Sequence, residues 1–298
     1  MKKMTLCLFL LAISMTLAAP LKAEEVKTKH AGLTLNAEWI TAGDEWKSKP
    51  VVLMTHGTLM HGRMEIMEAM QTLFADAGYS SLSLTLSLGL DDRHGPYECA
   101  ATHKHKHTDA LDEIGVWLTW LKKQGVEQVV LLGHSRGGNQ TAWFSTERHD
   151  AAIKKVILVA PATWSEVYAV KDYQERFGMD VAGPLAASKK LVAAGKGKQV
   201  INPVSIIYCK DSSATAESFV AYHGVEPRMH TPSLLGKIQV PVMVFAGSED
   251  TVVKNIEQYV QPMANDKIKL SILEGADHMF RDLYAEDLVD EAVAFIEE

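Results

Sequence analysis

Ser135 sits in Gly133-His134-Ser135-Arg136-Gly137, a Gly-x-Ser-x-Gly pattern fed by the apolar run Val129-Val130-Leu131-Leu132. A helix-like segment follows at once, with no room for an ordinary turn. Such a corner holds the serine in a strained backbone conformation, and glycines on either side let strand and helix approach closely. The hydroxyl then projects above the sheet, where the free N–H groups of a helix N-terminus also point. This is equipment for nucleophilic attack on a carbonyl, but a serine hydroxyl needs a base to take its proton. His278 is the candidate base, able to return the proton to a leaving group. A carboxylate on the far ring nitrogen would fix the tautomer and stabilise the imidazolium; Asp250 is the choice, with Glu249 and Asp277 as substitutes close by. The backbone N–H of Arg136, at the start of the helix, is one donor for the oxyanion. The Arg136 side chain is expected to pack outward or pair with an acid; contact with an acidic substrate is the alternative.

A second cluster of reactive residue types lies in one irregular segment: His94, Cys99, His103, His105 and His107. Three histidines at spacing two could ligate Zn²⁺ or Cu²⁺ in an extended chain. Lys104 and Lys106 alternate with them and would repel a cation, and no carboxylate lies inside the triplet, although Asp109 and Asp112 are near. The expectation is a solvated loop leading into a helix, with no metal and no cofactor. With Cys7 inside an expected N-terminal leader that is removed, Cys99 and Cys209 have only each other to pair with, and nothing in the sequence says that they meet; two separate buried thiols are expected.

The elements that must hold these groups are strands alternating with helices. Residues 26–41 alternate loosely, as one or two edge strands would. Val51 to Thr55 is a continuous apolar run, as in a strand buried on both faces, and it ends at His56-Gly57-Thr58. A helical pattern through Ile66, Met70, Leu73 and Ala77 stops at Gly78, with the methionines of this region as core filler. Strands are predicted over 80–90, 129–134 and 156–161, and a helix over 109–124 opening at Thr108 or Asp109. Residues 162–236 break the rhythm with helix-like sequence and read as an inserted cap. A strand over 240–246, a helix over 252–263, a strand over 267–273 and a last helix complete the chain. The pattern predicts a mostly parallel sheet covered on both faces, whose ligands bind beyond the carboxyl ends of the strands. His56, Ser135, Asp250 and His278 all lie just after strands.

Gly133-x-Ser135-x-Gly137, Gly247-x-x-Asp250 and His278, in the order Ser, Asp, His, resemble the α/β-hydrolase superfamily, and most closely its esterase, lysophospholipase and serine-aminopeptidase-like branch. The resemblance covers nearly the whole chain after the leader and is weakest over 162–236. It implies the α/β-hydrolase fold with a helical cap, and places a second oxyanion donor on Thr58, after His56-Gly57. His56 then reads as a structural hydrogen-bonder. The resemblance also matches Asp91, Arg93 and His94 to a structural turn that orders the loop near the pocket.

The 298 residues are 47% hydrophobic and 22% charged, which suits one large domain with an ample core. Met1-Lys2-Lys3, the apolar run from Leu6 to Ala19 and the small residue Ala23 read as a secretory leader spanning 1–23, leaving a hydrolase domain over 24–298. The apolar run is too short for a comfortable membrane span, so no stable membrane insertion is expected. Net charge is −7, and cleavage would remove three lysines and no carboxylate. That disfavours nucleic acid and anionic membranes as partners. The sequence therefore predicts a secreted or periplasmic serine hydrolase that cleaves a small carboxylic ester through an acyl-enzyme. A peptidase or amidase using the same residues stays open, as does a non-catalytic metal-binding protein using the histidine loop. Oligomeric state is unspecified.

Overall fold

The structure, a computed structural model, describes residues 22–298; residues 1–21 of the expected leader lie outside the described residues. Strands β1 (Lys22–His30) and β2 (Leu33–Thr41) form an antiparallel hairpin. There follow β3 (Val51–Thr55), α1 (Glu65–Asp76), β4 (Ser81–Thr85), α2 (Asp109–Lys123), β5 (Val129–His134), α3 (Arg136–Glu147) and β6 (Ile153–Val159). Between β6 and the next core strand lie α4 (Glu166–Phe177), α5 (Ala182–Ala193), β7 (Val200–Ile206), β8 (Cys209–Thr215), α6 (Ala216–His223) and the short α7 (Pro232–Leu235). The chain ends with β9 (Val242–Gly247), α8 (Ile256–Val260), β10 (Ile268–Leu273) and α9 (Leu283–Glu297).

Eight strands make one sheet in the order β1-β2-β4-β3-β5-β6-β9-β10, with β2 antiparallel to both its neighbours β1 and β4 and the other pairings parallel. This is the α/β-hydrolase fold that the alternation of strands and helices implied. The central strands β3, β4 and β5 are buried at every position because both faces are covered. Along β5, Leu131 packs with Trp117, Trp143 and Phe144 under α2 and α3. Its neighbours Val130 and Leu132 pack with Met67, Phe74, Leu288 and Phe295 under α1 and α9. Burying each such large side chain contributes about 1.5–3 kcal/mol. Met64, Met67 and Met70 are buried in the second cluster as filler.

Three expectations need correction. The strand predicted over 80–90 ends at Thr85, because Leu88 and Gly89 take positive φ (+48° and +78°) and turn the chain away. Residues 162–236 are not wholly helical: β7 and β8 form an antiparallel pair joined by a tight turn at Ile207, φ +59°. This segment has its own small core of Tyr173, Phe177, Ile206, Phe219 and Tyr222. Cys99 and Cys209 are joined as a disulfide rather than left as separate thiols. Their Cα atoms are 5.3 Å apart because the loop before α2 runs alongside β8. There His103 N–H donates to Ser213 O (2.8 Å), and Thr215 N–H donates to His103 O (2.9 Å). Among the described residues, no helix is long and apolar enough to cross a membrane.

Candidate active site

The corner between β5 and α3 puts Ser135 at φ +55°, ψ −121°, a region costing about 1–3 kcal/mol for a residue with a side chain. Its surroundings impose the conformation. Ser135 N–H donates to Val159 O (2.9 Å), and Ser135 O accepts from Ala162 N–H (2.9 Å). Two glycines permit the packing. A Cβ on Gly133 would lie 2.5 Å from Gly137 O, and one on Gly137 would lie 2.3 Å from His56 O.

Beyond the strand ends, three side chains meet in a line. Ser135 Oγ lies 2.9 Å from His278 Nε2, and His278 Nδ1 lies 2.7 Å from Asp250 Oδ2. With Nδ1–H donating to the carboxylate, Nε2 is left to accept the serine proton. The other carboxylate oxygen of Asp250 accepts from the N–H groups of Val252 (2.7 Å) and Val253 (2.9 Å). Burial works hardest on this carboxyl and favours its neutral form. The hydrogen bond from His278 and those backbone donors outweigh it, holding the group below the usual carboxylate range. The substitute acids are engaged elsewhere: Asp277 pairs with Arg281 (2.8 Å), and Glu249 is exposed. His134 holds the backbone of the candidate base, its Nε2–H donating to His278 O (2.9 Å). Burial lowers the His134 pKa to about 4.

Thr58 and Arg136 both border the cleft beside Ser135, and neither peptide N–H has an acceptor among the described residues. His56 lies under the Thr58 loop. Its Nδ1–H donates to Gly57 O (2.8 Å), while its Nε2 accepts from Leu86 N–H (3.0 Å). Both ring nitrogens are committed, so it is a brace for the loop. Arg93 braces the same loop by donating to the carbonyls of Leu86 and Met60, both at 2.7 Å.

The histidine loop departs from expectation. His103, His105 and His107 are 0%, 1% and 2% exposed, not solvated, because the loop is clamped between β8, α6 and α3. Burial lowers the His103 pKa to about 4 and the His107 pKa to about 3. His105 Nδ1 lies 2.7 Å from the Tyr222 hydroxyl, and its Nε2 lies 3.2 Å from His103 Nδ1. His107 Nε2–H donates to Asn139 Oδ1 (2.8 Å), and Asn139 Nδ2 donates to Thr231 Oγ1 (3.1 Å). Each ring makes at least one hydrogen bond inside the protein, only His107 of the three lines the cleft, and His103 Nε2 is buried without a partner among the described residues. His94 is elsewhere, at the surface 3.1 Å from Glu25, where Lys27 already pairs with both Glu25 and Asp92.

The cleft has a volume of about 710 Å³ and is roofed from α4, α6 and the segment after β9. Tyr222, His230 and Tyr259 line it. The sequence carries no local signal for these residues, since Tyr222 and His230 come to the cleft only through packing of the inserted segment and Tyr259 only through the placing of α8 after β9. The Arg136 side chain neither packs outward nor pairs with an acid. It lies in the cleft wall, donating from Nε to Thr58 Oγ1 (3.1 Å).

Comparison with curated protein sequences finds no match. Among solved structures, the chain is similar to Est1E from Butyrivibrio proteoclasticus, with a TM-score of 0.65 at 17% identity over 92% of this chain and 99% of that one. It is similar to the α/β hydrolase GrgF from Penicillium sp. sh18, with a TM-score of 0.67 at 16% identity over 93% and 98%. It is also similar to the esterase Pf2001 from Pyrococcus furiosus, with a TM-score of 0.60 at 15% identity over 93% and 91%. At these identities the likeness is one of fold. A family model described as serine aminopeptidase, S33, matches residues 46–282, from before β3 to the start of α9. The match takes in the Ser135 corner, Asp250 and His278, and the chain is accordingly a hydrolase that belongs to this serine-aminopeptidase (S33) family of α/β hydrolases.

Proposed function

We propose that the protein is a serine hydrolase that cleaves a carboxylic ester through an acyl-enzyme. The observation that carries this reading is the unbroken line from Ser135 Oγ through the His278 ring to Asp250, with steps of 2.9 and 2.7 Å. Ser135 Oγ attacks the ester carbonyl carbon while His278 Nε2 takes the hydroxyl proton. The carbonyl oxygen becomes an oxyanion, and the N–H groups of Thr58 and Arg136 receive it, each worth on the order of 3 kcal/mol. Collapse of the intermediate breaks the bond to the alcohol oxygen, which leaves with the proton from His278. Water, deprotonated by the same ring, then attacks the acyl-serine; the acid departs and the Ser135 hydroxyl is restored. Asp250 stays ionised throughout and stabilises the imidazolium.

An ester fits the cleft better than an aminopeptide. An N-terminal ammonium needs a carboxylate near the scissile bond, and the one acidic residue among those lining the cleft, Asp172, is paired with Arg176 at 2.9 Å. Among the similar structures, Pf2001 is an esterase and Est1E has also been solved with ferulic acid bound, which is in keeping with this choice. We place the enzyme outside the cytoplasm, in the periplasm or the medium. The leader-like start and the Cys99–Cys209 disulfide support that placement. A fluorophosphonate probe is expected to label Ser135, and Ser135→Ala to abolish both labelling and hydrolysis of p-nitrophenyl butyrate. An unlabelled wild-type protein would sink the reading. Faster turnover of aminoacyl p-nitroanilides than of esters would move it to peptidase.

A further inference from the structure

The cleft beside Ser135 holds a cation that the hydrolytic steps leave unused. The peptide N–H of Arg136 faces the oxyanion, but its guanidinium lies in the cleft wall, half-buried. Nε donates to Thr58 Oγ1 at 3.1 Å, Nη1 points at His107 Nδ1 from 3.4 Å, and the group lies 5.4 Å from the centre of the Tyr222 ring. The remaining guanidinium N–H groups have no acceptor among the described residues, and no carboxylate there pairs with it. Asp172, the acidic residue of the lining, is occupied by Arg176. Lys254, also of the lining, has no carboxylate partner among the described residues. His223, another lining residue, has a buried Nε2 with no partner. The chain as a whole is acidic at net −7, so this local excess of positive charge runs against the global balance. A half-buried guanidinium with open donors is a poor arrangement for an empty wall and a good one for a planar carboxylate, which it can hold with two parallel hydrogen bonds.

We propose that Arg136 determines specificity by binding a carboxylate carried on the acyl part of the substrate, so that the preferred substrate is a half-ester of a dicarboxylic acid. This rests on the serine-hydrolase reading above and names its substrate class. The ester carbonyl sits at Ser135 and the far carboxylate at the guanidinium of the next residue. His107, Thr58 and Tyr222 hold that guanidinium in place.

The test is kcat/KM for monomethyl adipate against methyl hexanoate, with monomethyl glutarate and methyl pentanoate as a shorter pair. Wild-type protein is expected to favour the charged member by about tenfold or more, the worth of a charge-assisted hydrogen bond. Arg136→Gln is expected to remove that preference, Arg136→Lys to keep part of it, and 1 M salt to compress it. A side chain that merely supported the oxyanion loop would lower both rates together and leave their ratio intact. A ratio near one in the wild-type protein, or a ratio unchanged in Arg136→Gln, overturns the assignment of Arg136 while leaving the hydrolase reading standing. No hydrolysis of any of the four esters, together with no fluorophosphonate labelling, overturns the hydrolase reading itself.

Discussion

His278 and the trio His103, His105 and His107 are histidines built for opposite ends. His278 is 13% exposed at its side chain and lies between a carboxylate and a hydroxyl. His103, His105 and His107 are sealed from water, and no carboxylate touches them. Burial without an opposite charge disfavours the imidazolium, so the pKa of His107 falls to about 3 and that ring can serve only as a neutral hydrogen-bonding wedge. A base needs a partner that stabilises the charge it acquires, and access to the group it deprotonates. Three histidines at a regular spacing provide neither by themselves.

The comparison breaks most readily at the base. His278→Ala is expected to lower kcat for ester hydrolysis by on the order of 10⁶-fold, as in triads that act as a unit. Retention of most of the activity would leave the line of three without a role. Asp250→Asn keeps the shape but loses the charge that orients the ring, and a drop of about 10⁴-fold in kcat is expected. On the buried side the readout is stability. Replacing Cys99 and Cys209 together by alanine is expected to cost about 2–4 kcal/mol in urea denaturation, because a long loop is freed in the unfolded chain. No loss would mean that the loop is clamped by β8 alone. His105→Leu leaves the Tyr222 hydroxyl and His103 Nδ1 without their partner, for about 1–3 kcal/mol. Its kcat on a neutral ester should change only a few-fold; a loss as deep as that of Asp250→Asn would erase the distinction between the two groups.

The smallest expected effect is on the pH dependence of stability. His103, His107 and His134 have folded pKa values of about 4, 3 and 4, below the 6.5 of an exposed histidine. Between those values and 6.5 the unfolded chain binds more protons, so stability is lost as pH falls through about 6.5. Glu113 acts the other way. Burial raises its pKa to about 7 against the hydrogen bonds from Ser87, so it favours the folded state more at low pH. Three rings against one carboxyl leave a net loss on acidification. The melting temperature is expected to fall between pH 7.5 and pH 5, and to fall further in Glu113→Gln. A melting temperature that rises on acidification would mean that the rings are charged in the folded protein.

The alternation of apolar runs and amphipathic segments determined the fold class, because burial on both faces of a parallel sheet leaves a mark at every residue of β3 and β5. The Gly-x-Ser-x-Gly corner was legible for a similar reason: Gly133 is required where its backbone meets Gly137 and Thr141 a few residues on, a constraint within one short segment, although Gly137 itself is held by the distant carbonyls of Thr55 and His56. That Ser135, Asp250 and His278 follow strands could also be read in one dimension. What only the tertiary structure decided was everything set by contact between distant segments. The Cys99–Cys209 pairing spans 110 positions. The histidine loop looked solvated because its own residues are polar; it is buried because β8 and α6, a hundred residues on, lie against it. Arg136 carries no local sign of whether an acid meets it, since that depends on which side chains of the inserted segment reach the cleft. Local pattern records what each segment buries, while the partners that cover it are fixed by packing.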